Sequence, residues 1–172
     1  MTTGRALEPI CIIDVTQGKR YYYHFDGLGS VVAISDDCSD IVERYKYDVF
    51  GKPTIYDANN TQISQSTVGN PYMFTGRRYD DETGLYYYRA RYYSPNIGRF
   101  LQHDPLGYVD GMNLYTYCKA NPVNYIDPLG LYFGDAWTPI GAWNDITTGR
   151  YHDRSGNFKH CYMSCILVHC KD

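Results

Sequence analysis

The sequence predicts a mainly β fold built from antiparallel hairpins, and the first reason is its aromatic and glycine content. Its 172 residues include 20 tyrosines and 16 glycines, against six phenylalanines and two tryptophans. Tyrosine favours strands because its ring packs well on a pleated surface, and its hydroxyl suits a wall with one wet face. Glycine supplies the turns between such strands.

A recurring motif is the second reason. An aromatic residue is followed by aspartate, two or three further residues and a glycine, and in the last copy serine replaces the aspartate. Each copy is typical of a strand end, a turn-starting side chain and a glycine at positive φ. An imperfect repeat of this kind predicts a sheet that grows by adding hairpins. The copies lie at residues 25–29, 47–51, 79–84 and 93–98.

The elements follow in chain order. Residues 19–36 are typical of two strands joined by a turn at Gly27 and Gly29. Residues 41–57 alternate charged and aromatic side chains at the period of a strand, and residues 58–70 are polar and predict an exposed loop.

The aromatic pattern resumes over residues 71–105, with turns predicted at 81–84 and 94–98. Beyond it, Asp110 or Asn113 can cap a short helix that continues to about Lys119. The proline at 122 would end this helix, because proline disfavours helical backbone at the residue before it.

The tetrapeptide DPLG flanks this predicted helix on both sides. Its aspartates, Asp104 and Asp127, stand 23 positions apart, and Leu131 follows the second copy. Asp-Pro-x-Gly is a common turn, so a purely structural role is one interpretation. In that interpretation the turn residues are Pro105, Gly107, Pro128 and Gly130.

The other interpretation is chemical. Two carboxyl groups a few ångströms apart can hydrolyse a peptide bond, because one activates water while the other protonates the leaving nitrogen. Like charges at that distance do not both ionise, so we expect Asp104 and Asp127 to share a proton. The chain between them must fold back to bring them together.

The order of the motifs resembles one known family. The series is similar to the Rhs (YD-repeat) proteins, specifically to the Rhs-associated core domain at the C-terminal end of their shell, over residues 19–131. The segments that carry the resemblance are 47–53, 74–76, 83–87, 91–93, 98–100, 104–107, 113–115, 121–122 and 127–131.

The resemblance implies a fold and an activity. Family members wind YD repeats into a hollow β-shell around a C-terminal toxin, and many cut their own chain just after DPxGL. By motif position, the residues tied to self-cleavage are Asp104, Asp127 and Arg91, where Arg91 stabilises an oxyanion or holds one carboxylate ionised. The cut would separate Leu131 from Tyr132 and leave 41 residues beyond it.

This resemblance also sets the expected domains and partners. We expect a shell-end core over residues 1–131 and a variable tail over 132–172 that is a toxin remnant or a truncated effector. Four repeat copies are too few to close a shell, so the partners would be the tail itself, a missing upstream shell, and an immunity protein or a delivery apparatus. The protein would be secreted or delivered to a cell surface within a larger chain.

Composition excludes several other classes. A net charge of −3 and a pI near 5.9 give the core no electrostatic affinity for nucleic acid. No apolar run approaches the length of a membrane span, and residues 1–15 lack the pattern of a Sec signal peptide. We expect no cofactor.

The tail holds a cluster of cysteine and histidine. On a helix, Cys161, Cys165 and His169 would form one stripe, and together with Cys170 they are weak zinc candidates. We favour a small apolar helix face, or a disulfide in a secreted chain, because no paired CxxC is present. Two other functions stay open: a non-catalytic shell or carbohydrate- and surface-binding module, and an activity confined to the tail.

Overall fold

Twelve short strands make up the described part of the chain. The computed structural model describes residues 9–108 and 111–135. The strands are β1 (Cys11–Asp14), β2 (Lys19–Phe25), β3 (Val31–Ser35), β4 (Ile41–Tyr47), β5 (Pro53–Asp57), β6 (Gln62–Ile63), β7 (Arg78–Asp80), β8 (Leu85–Tyr88), β9 (Arg91–Ser94), β10 (Arg99–Phe100), β11 (Tyr125–Ile126) and β12 (Gly134–Asp135).

These strands form three antiparallel sheets. Strands β1 to β6 lie side by side in chain order, and strands β7 to β10 do the same in a second sheet. Strand β11 pairs with β12 in a two-stranded hairpin. The predicted mainly β fold of hairpins is therefore confirmed.

The turns of the first sheet explain the repeated aspartates. In the turn after β4, Oδ1 of Asp48 accepts hydrogen bonds from the N–H groups of Phe50 and Lys52, at 2.9 and 2.8 Å. One carboxylate oxygen thus satisfies two backbone donors that the hairpin would leave unpaired. The same arrangement begins at Asp26, Asp36 and Asp57.

Two of these turns fall outside the aromatic–aspartate–glycine motif. At Asp36 and Asp57, the residue three positions on is Ser39 or Asn60 in place of glycine, and both take positive φ, 68° and 61°. Short polar side chains tolerate this backbone region better than most. A pattern that requires glycine therefore undercounts the repeat.

The core differs from the wet tyrosine wall that the composition predicts. Among the residues that the structure describes, six tyrosines are buried, and each of their hydroxyls has a partner inside the protein. Tyr86, for example, donates to the carbonyl oxygen of Gly51 at 2.8 Å, so its ring can be buried without an unpaired hydroxyl. The buried set is Tyr23, Tyr45, Tyr86, Tyr88, Tyr93 and Tyr117.

The helix predicted before Lys119 is replaced by irregular backbone. Over residues 111–120 the chain forms turns, and Cys118, Lys119 and Ala120 all have positive φ, between 47° and 58°. The carbonyl groups of Leu114 and Tyr115, which a helix would use for its own hydrogen bonds, accept instead from residues outside the segment. Phe100 N–H donates to Tyr115 O at 2.9 Å.

The predicted exposed loop at residues 58–70 is also more structured than expected. It contains strand β6, and its end is tied to the sheet by Glu43, which is fully buried. The Glu43 carboxylate accepts hydrogen bonds from Ser66 Oγ at 2.8 Å and from Thr67 Oγ1 at 2.7 Å. This connection joins the first sheet to the second.

Candidate functional site

Arg91 stands at the centre of the candidate site. It begins β9 directly after a tight turn in which Arg89 takes a φ of 63° and Ala90 N–H donates to Tyr88 O. Its side chain is only 2% exposed, and its guanidinium lies 3.7 Å from the centre of the Phe100 ring. The aromatic face supports the cation and excludes water from one side of it.

The structure brings both DPLG aspartates to this arginine. Nη1 of Arg91 lies 3.1 Å from Oδ2 of Asp104, and Nη2 lies 3.2 Å from Oδ2 of Asp127. All three side chains are nearly inaccessible to solvent. The three residues that the family resemblance singles out therefore form one buried ion cluster.

The two carboxyl groups of the cluster are joined through the cation between them. Within the part of the chain that the structure describes, no hydrogen bond joins the two carboxyl groups directly. The remaining contacts of Arg91 are Nε to Gly130 O at 2.6 Å and Nη1 to Leu114 O at 3.3 Å. Each nitrogen of the Arg91 guanidinium therefore has an acceptor inside the protein.

Each aspartate uses its other oxygen to build its turn. Oδ1 of Asp104 accepts from Leu106 N–H at 2.8 Å, and Oδ1 of Asp127 accepts from Leu129 N–H at 3.3 Å. These are the contacts made by the turn aspartates of the first sheet. Within each carboxyl group, one oxygen thus shapes the backbone and the other faces Arg91.

The second DPLG turn also holds the bond predicted to be cut. Oδ1 of Asp127 accepts hydrogen bonds from the N–H groups of Leu131 and Tyr132, at 3.1 and 3.3 Å. The Leu131–Tyr132 bond lies in the loop between β11 and β12, so it is fixed from both flanks. The nitrogen that would leave on hydrolysis is the one that faces the Asp127 carboxyl group.

Burial shifts the proton affinity of Asp127. Loss of solvent raises its pKa from 3.8 to about 6, although Arg91 and the three backbone N–H groups act in the opposite direction. A carboxyl group with such a pKa is protonated in part near neutral pH. It can therefore donate a proton that an ordinary aspartate would already have lost.

The four turn residues of the two motifs occupy different surroundings. Pro105 is exposed and Gly107 has open space around it, whereas Pro128 and Gly130 are buried. A Cβ atom on Gly130 would stand 2.5 Å from Tyr88 O. The second turn is thus packed directly against the β8–β9 turn that carries Arg91.

Several contacts of the site were missed at the sequence level. Leu114 contributes only a backbone carbonyl, which leaves no mark in the sequence. Phe100 belongs to the segment 98–100 that carries the resemblance, and this was the available signal for it. The zinc candidates Cys161, Cys165, His169 and Cys170 lie outside the described residues.

The described residues form neither a metal cluster nor a membrane span. Over 9–108 and 111–135, no three histidine, cysteine, aspartate or glutamate side chains gather closely enough to hold a metal ion. The same ranges contain no helix long and apolar enough to cross a bilayer.

Comparison with known proteins shows which family the chain resembles. Residues 9–123 match the family described as Teneurin YD-shell. The tRNA nuclease WapA of Bacillus subtilis strain 168 is 44% identical over 107 residues, which are 60% of this chain and 4% of WapA. The toxin protein Tse5 of Pseudomonas aeruginosa is 34% identical over 114 residues, covering 66% of this chain and 8% of Tse5.

A solved structure agrees with these relatives. The crystal structure of TcdB2–TccC3 without its hypervariable C-terminal region superposes with a TM-score of 0.57 at 33% identity, over 66% of this chain and 5% of that one. The chain thus spans only a small part of each relative. Its hairpin sheets, its repeated aspartate turns and these matches together show that it belongs to the YD-shell family, the Rhs and YD-repeat proteins.

Proposed function

We propose that this chain is the C-terminal core of an Rhs-type toxin shell, and that it cuts itself between Leu131 and Tyr132. The observation that carries the proposal is the position of Asp127. Its carboxyl group is hydrogen-bonded to the N–H of Tyr132, the nitrogen that leaves on hydrolysis, and is tied through Arg91 to a second carboxylate. The segment beyond the cut would be the cargo.

The reaction adds one water across the peptide bond. Asp104 takes a proton from the water as its oxygen bonds to the carbonyl carbon of Leu131. Asp127 gives its proton to the Tyr132 nitrogen as the C–N bond breaks. The raised pKa of Asp127 favours the acid role for this residue. General acid and general base help are each worth about 10²–10⁴-fold in rate.

Arg91 holds the two carboxyl groups in position relative to each other. Its side chain contacts both carboxyl groups and the carbonyl oxygen of Gly130, next to the proposed cut. Because the bond belongs to the same chain, its effective concentration is high, and one turnover per molecule is enough.

The proposed setting is a larger secreted or surface-delivered protein. The chain covers 4% of WapA and 8% of Tse5, so an upstream YD-repeat shell would supply the enclosure. The TcdB2–TccC3 protein has a hypervariable C-terminal region, which is consistent with a variable tail at 132–172 in this chain. An immunity protein or a delivery apparatus would then be the outside partner.

Denaturing intact-mass spectrometry of the purified chain tests the cleavage. We expect the wild type to give two species divided between Leu131 and Tyr132, the smaller having 41 residues. Asp104→Asn and Asp127→Asn should stay intact, with a loss of about 10²-fold or more in rate. Asparagine keeps the Oδ1 acceptor of the turn and removes the group that takes or gives the proton.

Asp48→Asn is the matched control. Asp48 builds the same turn but has no ion pair with Arg91, so its variant should cleave as the wild type does. Cleavage that persists in both site variants would refute the aspartate mechanism. An intact wild-type chain would refute self-cleavage by this segment.

A surface groove beside strands β7, β8 and β9 supports a second candidate, carbohydrate binding. It has a volume of about 780 Å³, and its lining includes the side chains of Tyr87 and Tyr92. The two rings are exposed and their centroids lie 5.5 Å apart, an arrangement on which a sugar ring can stack. A glycan array with Tyr87→Ala as the control distinguishes this candidate.

A further inference from the structure

The two residues just beyond the proposed cut are aromatic, and the second of them packs on the core. Phe133 is partly buried and lies against the hydrophobic core, as does Tyr125 of β11. The rings of Phe133 and Tyr125 meet edge to face, with their centroids 5.4 Å apart and their planes at 78°. Such a pair contributes stability beyond the area that it buries. Phe133 is thus bound to the core side of the cut.

A lysine covers the same ring. Nζ of Lys119 lies 4.7 Å from the centroid of the Phe133 ring. This distance is within the range of about 6 Å over which an aromatic face attracts a cation. Tyr132, which belongs to the tail as Phe133 does, stacks on Phe133 at 5.4 Å and 14°. Phe133 therefore contacts one residue of the tail and, across the cut, two residues of the core.

The lysine is presented by a strained turn. Cys118, Lys119 and Ala120 have φ values of 47°, 50° and 58° in succession. Residues with a Cβ atom visit this backbone region singly, so a run of three is strained. The run follows Tyr117, which is buried and whose hydroxyl lies 3.0 Å from that of Tyr88. Strain that the surroundings maintain in this way points to a function for the residue it positions.

The same stretch of chain also positions Tyr125. The N–H of Asn121 donates to Cys118 O at 2.8 Å, and the N–H of Tyr125 donates to Asn121 O at 3.2 Å. These bonds connect the strained turn to the start of β11. Lys119 and Tyr125 therefore reach Phe133 from one continuous segment of the core. We call these two side chains the aromatic seat.

The contacts of the seat do not depend on the bond that would be cut. The hydrogen bond from the Tyr132 N–H to Asp127 involves the nitrogen that leaves, so it changes when the bond breaks. The contacts of Phe133 with Lys119 and Tyr125 involve no atom of that bond. Together with the pairing of β11 and β12, they join the core to the tail independently of the covalent chain.

We propose that the aromatic seat binds Phe133 after the cut and keeps the severed tail on the core. This inference rests on the proposed self-cleavage. The seat takes an aromatic side chain two positions beyond the cut, because Lys119 binds the face of a ring and Tyr125 packs against its carbons. An aliphatic residue at this position would keep the apolar contact and lose the attraction of the cation.

Dissociation of the tail from cut molecules tests the seat. The wild type is left to cleave, its core is held on a resin through an N-terminal tag, and the tail released over time is quantified by mass spectrometry. Phe133→Ala should release the tail about tenfold faster, because both ring contacts are lost. Lys119→Met keeps the apolar stem and should release it about threefold faster. Lys119→Arg should restore the wild-type rate.

Lys52→Met is the matched control, since Lys52 is an exposed lysine in the turn between β4 and β5. It should leave the release of the tail unchanged. A tail that leaves Phe133→Ala no faster than the wild type would overturn the inference. So would a wild-type tail that is lost in the first wash, or an effect of Lys52→Met as large as that of Lys119→Met.

Hydrogen exchange in the uncleaved Asp104→Asn chain separates this inference from the proposed function. There, Lys119→Met and Phe133→Ala should each speed exchange over residues 132–135 by about threefold or more, because the β11–β12 hairpin opens more readily without the seat. Unchanged exchange would overturn the seat even if the wild type cleaves. A wild type that stays intact would refute the proposed function, and retention of a severed tail would fall with it.

Discussion

Six aspartates in the described residues begin turns in which the residue three positions on has positive φ. In each turn, one carboxylate oxygen accepts from the backbone N–H two residues later, and in five of them also from the N–H four residues later. The structural and chemical interpretations of DPLG are therefore compatible. What distinguishes Asp104 and Asp127 is that their second oxygen meets Arg91. The six are Asp26, Asp36, Asp48, Asp57, Asp104 and Asp127.

The raised pKa of Asp127 sets an expected pH dependence. If this residue gives its proton to Tyr132, the rate of cleavage should fall about tenfold per pH unit above about 6. Timed quenching at a series of pH values, followed by mass spectrometry, measures this slope. A rate that rises through the same window would assign Asp127 the role of base.

The free energy of unfolding should also depend on pH through the protonation of Asp127. The folded chain binds this proton more tightly than the unfolded chain, because the folded pKa of about 6 lies above the ordinary 3.8. The contribution of Asp127 to stability is thus complete below about 3.8 and is lost as the pH rises through about 6. Asparagine at this position removes the effect, which thermal unfolding at a series of pH values measures.

At the level of elements, the site depends on how two turns pack. The β8–β9 turn presents Arg91, and the second DPLG turn lies on it with Gly130 against Tyr88. The first DPLG turn reaches the same arginine through backbone bonds: Asp104 N–H donates to Leu114 O at 3.0 Å. No helix is needed to fold the chain back.

This packing predicts different effects for two glycine variants. Both Gly107 and Gly130 have positive φ, 71° and 65°, so alanine strains either turn by a similar amount, about 1 kcal/mol. Only at Gly130 would the new Cβ atom overlap the backbone of Tyr88. We therefore expect Gly130→Ala to slow cleavage by about 10²-fold and Gly107→Ala to have little effect. Equal rates in the two variants, measured by the same mass assay, would contradict this view of the site.

The sequence predicts those elements that depend on neighbouring residues and misses those that depend on contacts with distant residues. The strand alternation, the glycine-containing turns and the identity of Asp104, Asp127 and Arg91 all follow from local patterns and motif order. The turns at Ser39 and Asn60, and the irregular backbone before Lys119, depend on side chains and partners far along the chain.

At the scale of the whole molecule, one buried acid fixes the path of the connection between the two larger sheets. Glu43 lies on β4 and is 0% exposed, yet both of its oxygens bind the segment that leads towards β7. The hydroxyl of Tyr45 adds a further hydrogen bond. A buried carboxylate with this many donors fixes one path for the connection.

Replacing Glu43 by glutamine should weaken this connection. The amide puts N–H donors where several donors already point, so we expect a loss of about 2–4 kcal/mol in the free energy of unfolding. Thermal unfolding in the uncleaved Asp104→Asn background measures it. The exposed Glu82→Gln is the control and should leave stability unchanged. A stable Glu43→Gln variant would mean that the connection is held by other contacts.

The loop that contains Leu131 and Tyr132 is closed by a strand pair, in which Tyr125 is opposite Asp135 and Ile126 is opposite Gly134. Hydrolysis of the Leu131–Tyr132 bond would leave both new chain ends held by the pairing of β11 with β12. Chemical scission and departure of the severed portion are then separate events with separate triggers. A ladder this short holds only weakly, at about 0.5–1.5 kcal/mol per hydrogen bond, so a modest mechanical pull or a competing strand would complete the separation.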